Sequence, residues 1–420
     1  MRTTIYSLIF LLLPTYSFCY EIGSNYTDLQ KPEFDNHSFG YERNHERMTA
    51  LALKCLYDHN LNNNEIENKP IKCQNFSPDK ETYSIFTDAL TSDNQLINYL
   101  DLVNHVRWSD DPTRMLISKK TSVKFGALLG ADKVKAEKLG IVACSKRANE
   151  GEFNLLNHGM LCNSHYGKLQ FLHSMAEKRG EEHKDTYSKI VQWSQWSLEM
   201  LKSEEVKSED RHGRNQNYCD YWESSPDKEL AQAMTPNLIR SAELCDDTRW
   251  FFGFFGHPEW LLSTIFNFTC DGSLSSKECT IFKNNNDHTQ KAALGSILHM
   301  IQDSYSSSHA NRGNELSDPQ VNCSEIQSFY SYGLQNHDSH TVSDKWPTFS
   351  DECHSIETMD PVTASAQAIW ISHKVMNKPD NKFKEHNNKY NSDFDSLIKS
   401  VFGKQPLPNI FADAGKAYAK

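Results

Sequence analysis

Leu294-Gly-Ser-Ile-Leu-His299-Met-Ile-Gln-Asp303-Ser-Tyr-Ser-Ser-Ser-His309 is the stretch on which the reading of the fold turns. Placed on a helix, Leu294, Ile297, Leu298 and Ile301 form one apolar face at i, i+3, i+4 and i+7. His299 and Asp303, four residues apart, project together from the opposite face. Ala292, Gly295 and Ser296 lie on that side too, and being small they leave room. A helix apolar on one side and small plus chelating on the other belongs in the middle of a bundle. His309 follows a serine-rich turn that folds it back towards the same cavity.

Helical patterns extend outward from this stretch. His45 to Tyr57 sets Met48, Leu51, Cys55 and Leu56 on one face. Ser92 to Val106 carries a stripe of Leu96, Leu100 and Val103, with Thr91 or Ser92 placed to cap it. Residues 184–202 bury Tyr187, Ile190, Val191, Trp193 and Leu198. Alternating strand patterns are scarce, and the polar stretches Asn60–Asp79, Ser203–Ser225 and Asn311–Asn322 read as long loops. The expectation is an all-α, multi-helix bundle.

Residues 1–19 read as a secretory signal peptide: Arg2, an apolar core from Ile5 to Leu13, then Ser17-Phe18-Cys19 before Tyr20. No other segment is long and apolar enough to span a bilayer. Of the 11 cysteines, loss of Cys19 leaves 10, an even number that suits disulfides in an oxidising compartment. Spacing favours local pairs: Cys55 with Cys73, Cys144 with Cys162, Cys219 with Cys245, Cys270 with Cys279 and Cys323 with Cys353. The bundle domain then spans 20–377, and the Asn- and Lys-rich residues 378–420 read as an appendage packed on it.

A second chelating pair lies downstream. His340 and Asp344 are four apart, with His337 one turn earlier. Imidazole combined with carboxylate is the ligand set expected of zinc. One such pair arises readily on a solvated helix face. Two of them, with His309 between, point to a metal centre.

His299-x-x-x-Asp303-x-x-x-x-x-His309, followed by His340-x-x-x-Asp344, resembles the metal signature of the zinc-dependent phospholipase C and S1/P1 nuclease superfamily. The resemblance implies an all-helical fold holding two or three zinc ions in one cleft. It implies that Asp303 bridges two ions, that His299 shares one of them, and that His309, His340 and Asp344 hold another; the family often has Glu where this chain has Asp344. Trp108-Ser-Asp110-Asp111-Pro112 is similar to the segment supplying a zinc-binding aspartate, with Asp110 at the matching position and Asp111 as a turn residue. The implied catalytic residues are Asp110 and Asp303. His165-Tyr-Gly-Lys-Leu-Gln-Phe-Leu-His173-Ser-Met175 resembles the segment whose histidine joins that aspartate; His173 is the closer match and His165 the alternative. His45-Glu46-Arg47-Met48-Thr49 resembles the N-terminal helix giving another ligand. Many family members also ligate through an N-terminal tryptophan, but this chain has no Trp before Trp108.

Within the superfamily, Phe171-Leu-His-Ser-Met175 and Leu298-His-Met-Ile-Gln-Asp303 resemble a secreted bacterial branch of zinc phospholipases C more than the nucleases. The expected activity is hydrolysis of phospholipids such as phosphatidylcholine to diacylglycerol and a phosphorylated headgroup, by a secreted monomer acting at a membrane surface. The alternatives are a secreted S1/P1-type nuclease or nucleotidase, and a non-catalytic zinc-stabilised binding protein. A formal net charge of −11, or −12 without Arg2, argues against a general nucleic-acid surface and leaves a zwitterionic headgroup compatible. The run Arg249-Trp-Phe-Phe-Gly-Phe-Phe-Gly256 reads either as a lipid-contacting wall or as a buried helix end broken by glycine. No phosphate-binding loop, dinucleotide turn or His-Glu-x-x-His motif occurs.

Overall fold

The computed structural model describes residues 44–58, 71–73, 102–114, 138, 144, 159–201, 216–225, 228–234, 261–270, 279–281, 286–313, 320–321, 323–335, 340, 348–349, 359–376 and 383–415. The expected signal peptide, the run 249–256, His337 and Asp344 lie outside them. These residues are mostly helical. The helices are α1 (Asn44–Asp58), α2 (Leu102–His105), α3 (Gly159–Tyr166), α4 (His183–Leu201), α5 (Tyr218–Ser224), α6 (Lys228–Met234), α7 (Asn286–Asp303), α8 (Pro361–Met376) and α9 (Phe383–Phe402). Short 3-10 turns at Val106–Trp108 and Gln170–His173 prove as important as the helices. Among the described residues, extended structure is limited to strands of two or three residues paired two by two and to isolated bridges.

Helix α7 is the central post. It packs against α1, α2, α4, α8 and both 3-10 turns, and every residue from Ala292 to Asp303 is buried. Asp287 in its first turn suits the positive end of the helix dipole and pairs with Lys291 at 2.8 Å. The expected division of its surface is present. Leu294, Ile297, Leu298 and Ile301 enter the apolar core; of the small residues, Ala292 joins that core, Ser296 accepts from Trp193 Nε1 at 3.1 Å, and Gly295 admits another backbone. Gly295 shows why smallness matters: a Cβ there would sit 2.1 Å from the carbonyl oxygen of His105. The segment leading to Asp110 therefore rests directly on α7. Gly295→Ala must push that segment away. We expect it to lower the free energy of unfolding by about 1–3 kcal/mol, an overpacking cost measurable by urea denaturation.

The other helices form for readable reasons. Asp360 caps α8, its Oδ1 accepting from the amides of Val362 and Thr363 at 2.8 and 2.9 Å, and Pro361 sits where no amide is needed. Asn217 caps α5 in the same way. On α1, Met48, Cys55 and Leu56 are buried and Leu51 is half-buried against the core. Tyr187, Ile190, Trp193 and Leu198 of α4 are buried, and Val191 is half-buried. Of the expected helix over 92–106, only its end is described, as α2 and the first residue of the 3-10 turn.

Disulfides join Cys55 to Cys73 and Cys144 to Cys162, as spacing suggested. Cys219 and Cys323 are disulfide-bonded as well; the partners expected for them, Cys245 and Cys353, lie outside the described residues. The antiparallel register of 268–270 with 279–281 sets Cys270 opposite Cys279. Helix α9, in the stretch read as an appendage, packs on α4 and α8 and places Phe394, Leu397, Ile398, Val401 and Phe402 in the same apolar core. No helix among the described residues is long and apolar enough to cross a membrane.

Candidate metal centre

Six segments deliver polar side chains to one place beside α7. Helix α1 brings His45, the turn after Trp108 brings Asp110, and the end of α3 brings His165. The 3-10 turn 170–173 brings His173, α7 brings His299 and Asp303, and the serine turn brings His309. These seven are each at most 5% exposed. Asp110 is set by a tight turn in which its amide and that of Asp111 both donate to the Arg107 carbonyl. His173 is set by Ser174, which adopts a left-handed φ of 54° and donates from Oγ to the Met300 carbonyl at 2.6 Å. A non-glycine residue there costs about 1–2 kcal/mol, offset by that buried bond to α7. The serine turn does fold back, with His309 donating from its amide to Ser306, and Ser306 to Asp303.

The donor atoms form two adjoining groups. His45, His299 and Asp303 make one; Asp110, His165 and His173 make the other; within each, the ligand atoms lie within 4.8 Å of one another. They interlock. His173 Nδ1 lies 2.9 Å from Asp303 Oδ2 and 3.7 Å from Asp110 Oδ1, and His299 Nε2 lies 3.1 and 3.6 Å from the same two atoms. His45 Nε2 is 3.3 Å from Asp303 Oδ1, and His309 Nδ1 is 3.5 Å from Asp303 Oδ2. His340 stacks on His309 at 5.2 Å between ring centroids. Eight of the nine residues expected to bind metal are thus near neighbours, and His165 and His173, weighed as alternatives, are both present.

Electrostatics prepare these groups for a cation. Burial pushes the Asp110 carboxyl well above the usual carboxylate range, and Asp303 and Glu46 push it the same way. Burial also works upward on Asp303, but His309, His299 and His45 outweigh it and hold this carboxyl well below that range. Burial, aided by His173, pushes His165 down to about 3. Burial likewise takes His173 and His299 down to about 4. At these values His165, His173 and His299 are neutral at pH 7, which is the form in which imidazole binds a metal.

The fit to a metal can be judged from atoms that lack hydrogen bonds. Both oxygens of Asp110 have no hydrogen-bond partner, nor do Asp303 Oδ1, His165 Nε2 and His173 Nε2, and all are buried. Leaving a buried carboxylate so costs several kcal/mol unless it is paired with a cation or coordinates a metal. Nitrogen and carboxylate oxygen donors of this kind suit zinc. No protein-family model, curated protein or solved structure matches this chain. The site is therefore read from its own geometry. Two His/Asp clusters could bind metal ions.

These values imply a pH response of the metal-free protein. A histidine depressed from 6.5 to about 4 on folding stabilises the fold above 6.5 and loses that contribution as pH falls towards 4. Asp110, raised on folding, acts in the opposite sense, but His165, His173 and His299 outnumber it. Each histidine changes the stability by about 1.4 kcal/mol per pH unit in this window. Urea denaturation of metal-free protein should show the free energy of unfolding falling between pH 6.5 and 4; a flat or rising profile would contradict the buried neutral cluster.

Sequence reasoning missed the groups behind the donors. Gln302 meets His45, Gln335 meets His340, and the buried Arg107 pairs with Glu46 at 3.6 Å beside Asp110. A glutamine inside the buried run Ile301-Gln302-Asp303 was a usable signal. Gln335 carries none: His340 is only five residues on, but the carbonyls that fix its amide, those of Ser308 and Ala414, are distant in the chain.

Proposed function

We propose that this chain is a secreted zinc-dependent phosphodiesterase of the phospholipase C and S1/P1 nuclease type, and a phospholipase C within it. The observation that carries the reading is the convergence of six imidazoles and two carboxylates from separate segments around α7, in the order the family resemblance requires. Imidazole binds a metal in its neutral form, so the metal-loaded donors would carry only the charges of Asp110 and Asp303. Two divalent ions against two carboxylates leave a net positive charge, which suits an anionic phosphodiester and its developing negative charge.

Zinc, when bound, supplies Lewis acidity at phosphoryl oxygens and lowers the pKa of water to about 7. Asp110 would accept the proton of the attacking water, a role supported by the absence of a hydrogen bond to either of its oxygens. Asp303, a member of the first donor group, also meets His173 of the second, so the imidazoles of His45, His173, His299 and His309 gather around it. The disulfides are compatible with an extracellular protein, and the net charge of −11 favours a zwitterionic lipid over a polyanionic nucleic acid.

The test compares phosphatidylcholine vesicles with single-stranded DNA, with and without chelator. Chelator-sensitive release of diacylglycerol is expected. Release of nucleotides alone would transfer the reading to the nuclease class. Zinc-loaded protein inert on both would leave a metal-stabilised binding protein.

A further inference from the structure

Gln335 donates from Nε2 to two backbone carbonyls, those of Ser308 and of Ala414, the latter at 3.3 Å. A carbonyl oxygen only accepts, so the amide cannot be turned end for end without setting oxygen against oxygen. Its Oε1 therefore faces His340 Nδ1, and that nitrogen must carry the proton. The lone pair is left on Nε2. Gln302 meets His45 in the same orientation, although its other partners are hydroxyls, which do not by themselves fix the amide. Its Oε1 is 2.8 Å from His45 Nδ1, and its Nε2 donates to Thr49 Oγ1 and Ser365 Oγ at 3.0 and 3.2 Å. His165, His299 and His309 obtain the same arrangement from main chain, with Nδ1 at 3.0, 2.9 and 2.6 Å from the carbonyls of Leu161, Val106 and His173.

We propose that Gln335 and Gln302 are positioning residues, which hold His340 and His45 as Nδ1–H tautomers so that Nε2 is the atom offered to a metal ion. The role rests on the metal reading of the site. It also links the end of the chain to the centre, because Ala414 anchors Gln335 and Ser308 precedes His309. The two clamps differ in one respect. Hydroxyls donate as well as accept, so a carboxylate at position 302 can still receive His45 Nδ1–H and both hydroxyl protons. A carboxylate at position 335 would oppose two carbonyls that have nothing to donate.

The test combines nitrogen NMR of the imidazole rings in metal-free protein with zinc titration against a competing chelator. Wild-type His45 and His340 are expected as Nδ1–H tautomers. Gln335→Met and Gln302→Met are expected to weaken zinc binding about 10–100-fold, the usual effect of removing such partners. Gln302→Glu should restore the affinity and Gln335→Glu should not. A wild-type His340 or His45 protonated on Nε2, which needs no variant to observe, would overturn the proposal. So would methionine variants that hold zinc as tightly as wild type. Wild-type protein with both Nδ1–H tautomers but no zinc uptake would sink the metal reading while upholding the tautomer assignment.

Discussion

Asp303→Asn should abolish hydrolysis and strip the protein of zinc in the same step. The substitution keeps the side chain's shape, so the packing of α7 is undisturbed; what changes is charge and donor character. Asp303 faces four imidazoles, at 3.3 Å on Oδ1 and between 2.9 and 3.5 Å on Oδ2. An amide presents one oxygen and one NH2 group to them and carries no charge to offset a cation. Partners one step removed from a metal typically contribute 10–100-fold in affinity, so loss of this direct, central carboxylate should exceed about 100-fold. The variant should also bring the Asp110 carboxyl back towards the ordinary range, because the second-largest cause of its elevation is the charge of Asp303. Metal content and diacylglycerol release, read on the same sample, check both parts. Turnover retained with zinc at the wild-type level would remove Asp303 from the centre of the mechanism.

Chelation should produce the second large effect, on stability. A ligand that binds only the folded state stabilises it by about 4 kcal/mol when present at a thousand times its dissociation constant. Here the stabilisation has a visible origin: the metal-free site confines Asp110 without hydrogen bonds and in repulsion with Asp303 and Glu46. Removing a bound ion would expose those costs in the core, since His45, Asp110 and His173 come from segments packed on α7 and His299 and Asp303 from α7 itself. The midpoint of thermal unfolding should fall on adding chelator and recover on adding zinc. An unchanged midpoint would mean that the buried carboxylates are balanced by something other than metal.

The parts of this arrangement legible in the sequence were those written in short spacings. The i, i+3, i+4, i+7 face of α7, the pair His299 and Asp303, and the serine turn before His309 each lie within a few residues, and local geometry sets where they point. Whether His165 or His173 joined Asp110 could not be decided from spacing, because a 3-10 turn, not one continuous helix, separates them. Both rings consequently approach the same carboxylate, at 3.8 and 3.7 Å. Helix α9 was underestimated because its first half is Asn- and Lys-rich; the core positions Phe394, Leu397, Ile398 and Val401 come late, though at regular helical spacing. Gln335 was illegible for a different reason. Its role exists only once the chain has brought Ser308 and Ala414 beside it.

The most direct test of the account is the metal content of the purified, disulfide-bonded protein, measured by inductively coupled plasma mass spectrometry before any metal is added and again after dialysis against zinc. The account predicts about two or three zinc ions per chain, with stoichiometric loss in Asp303→Asn. Protein that carries no transition metal as purified and takes up none from zinc solution would contradict it.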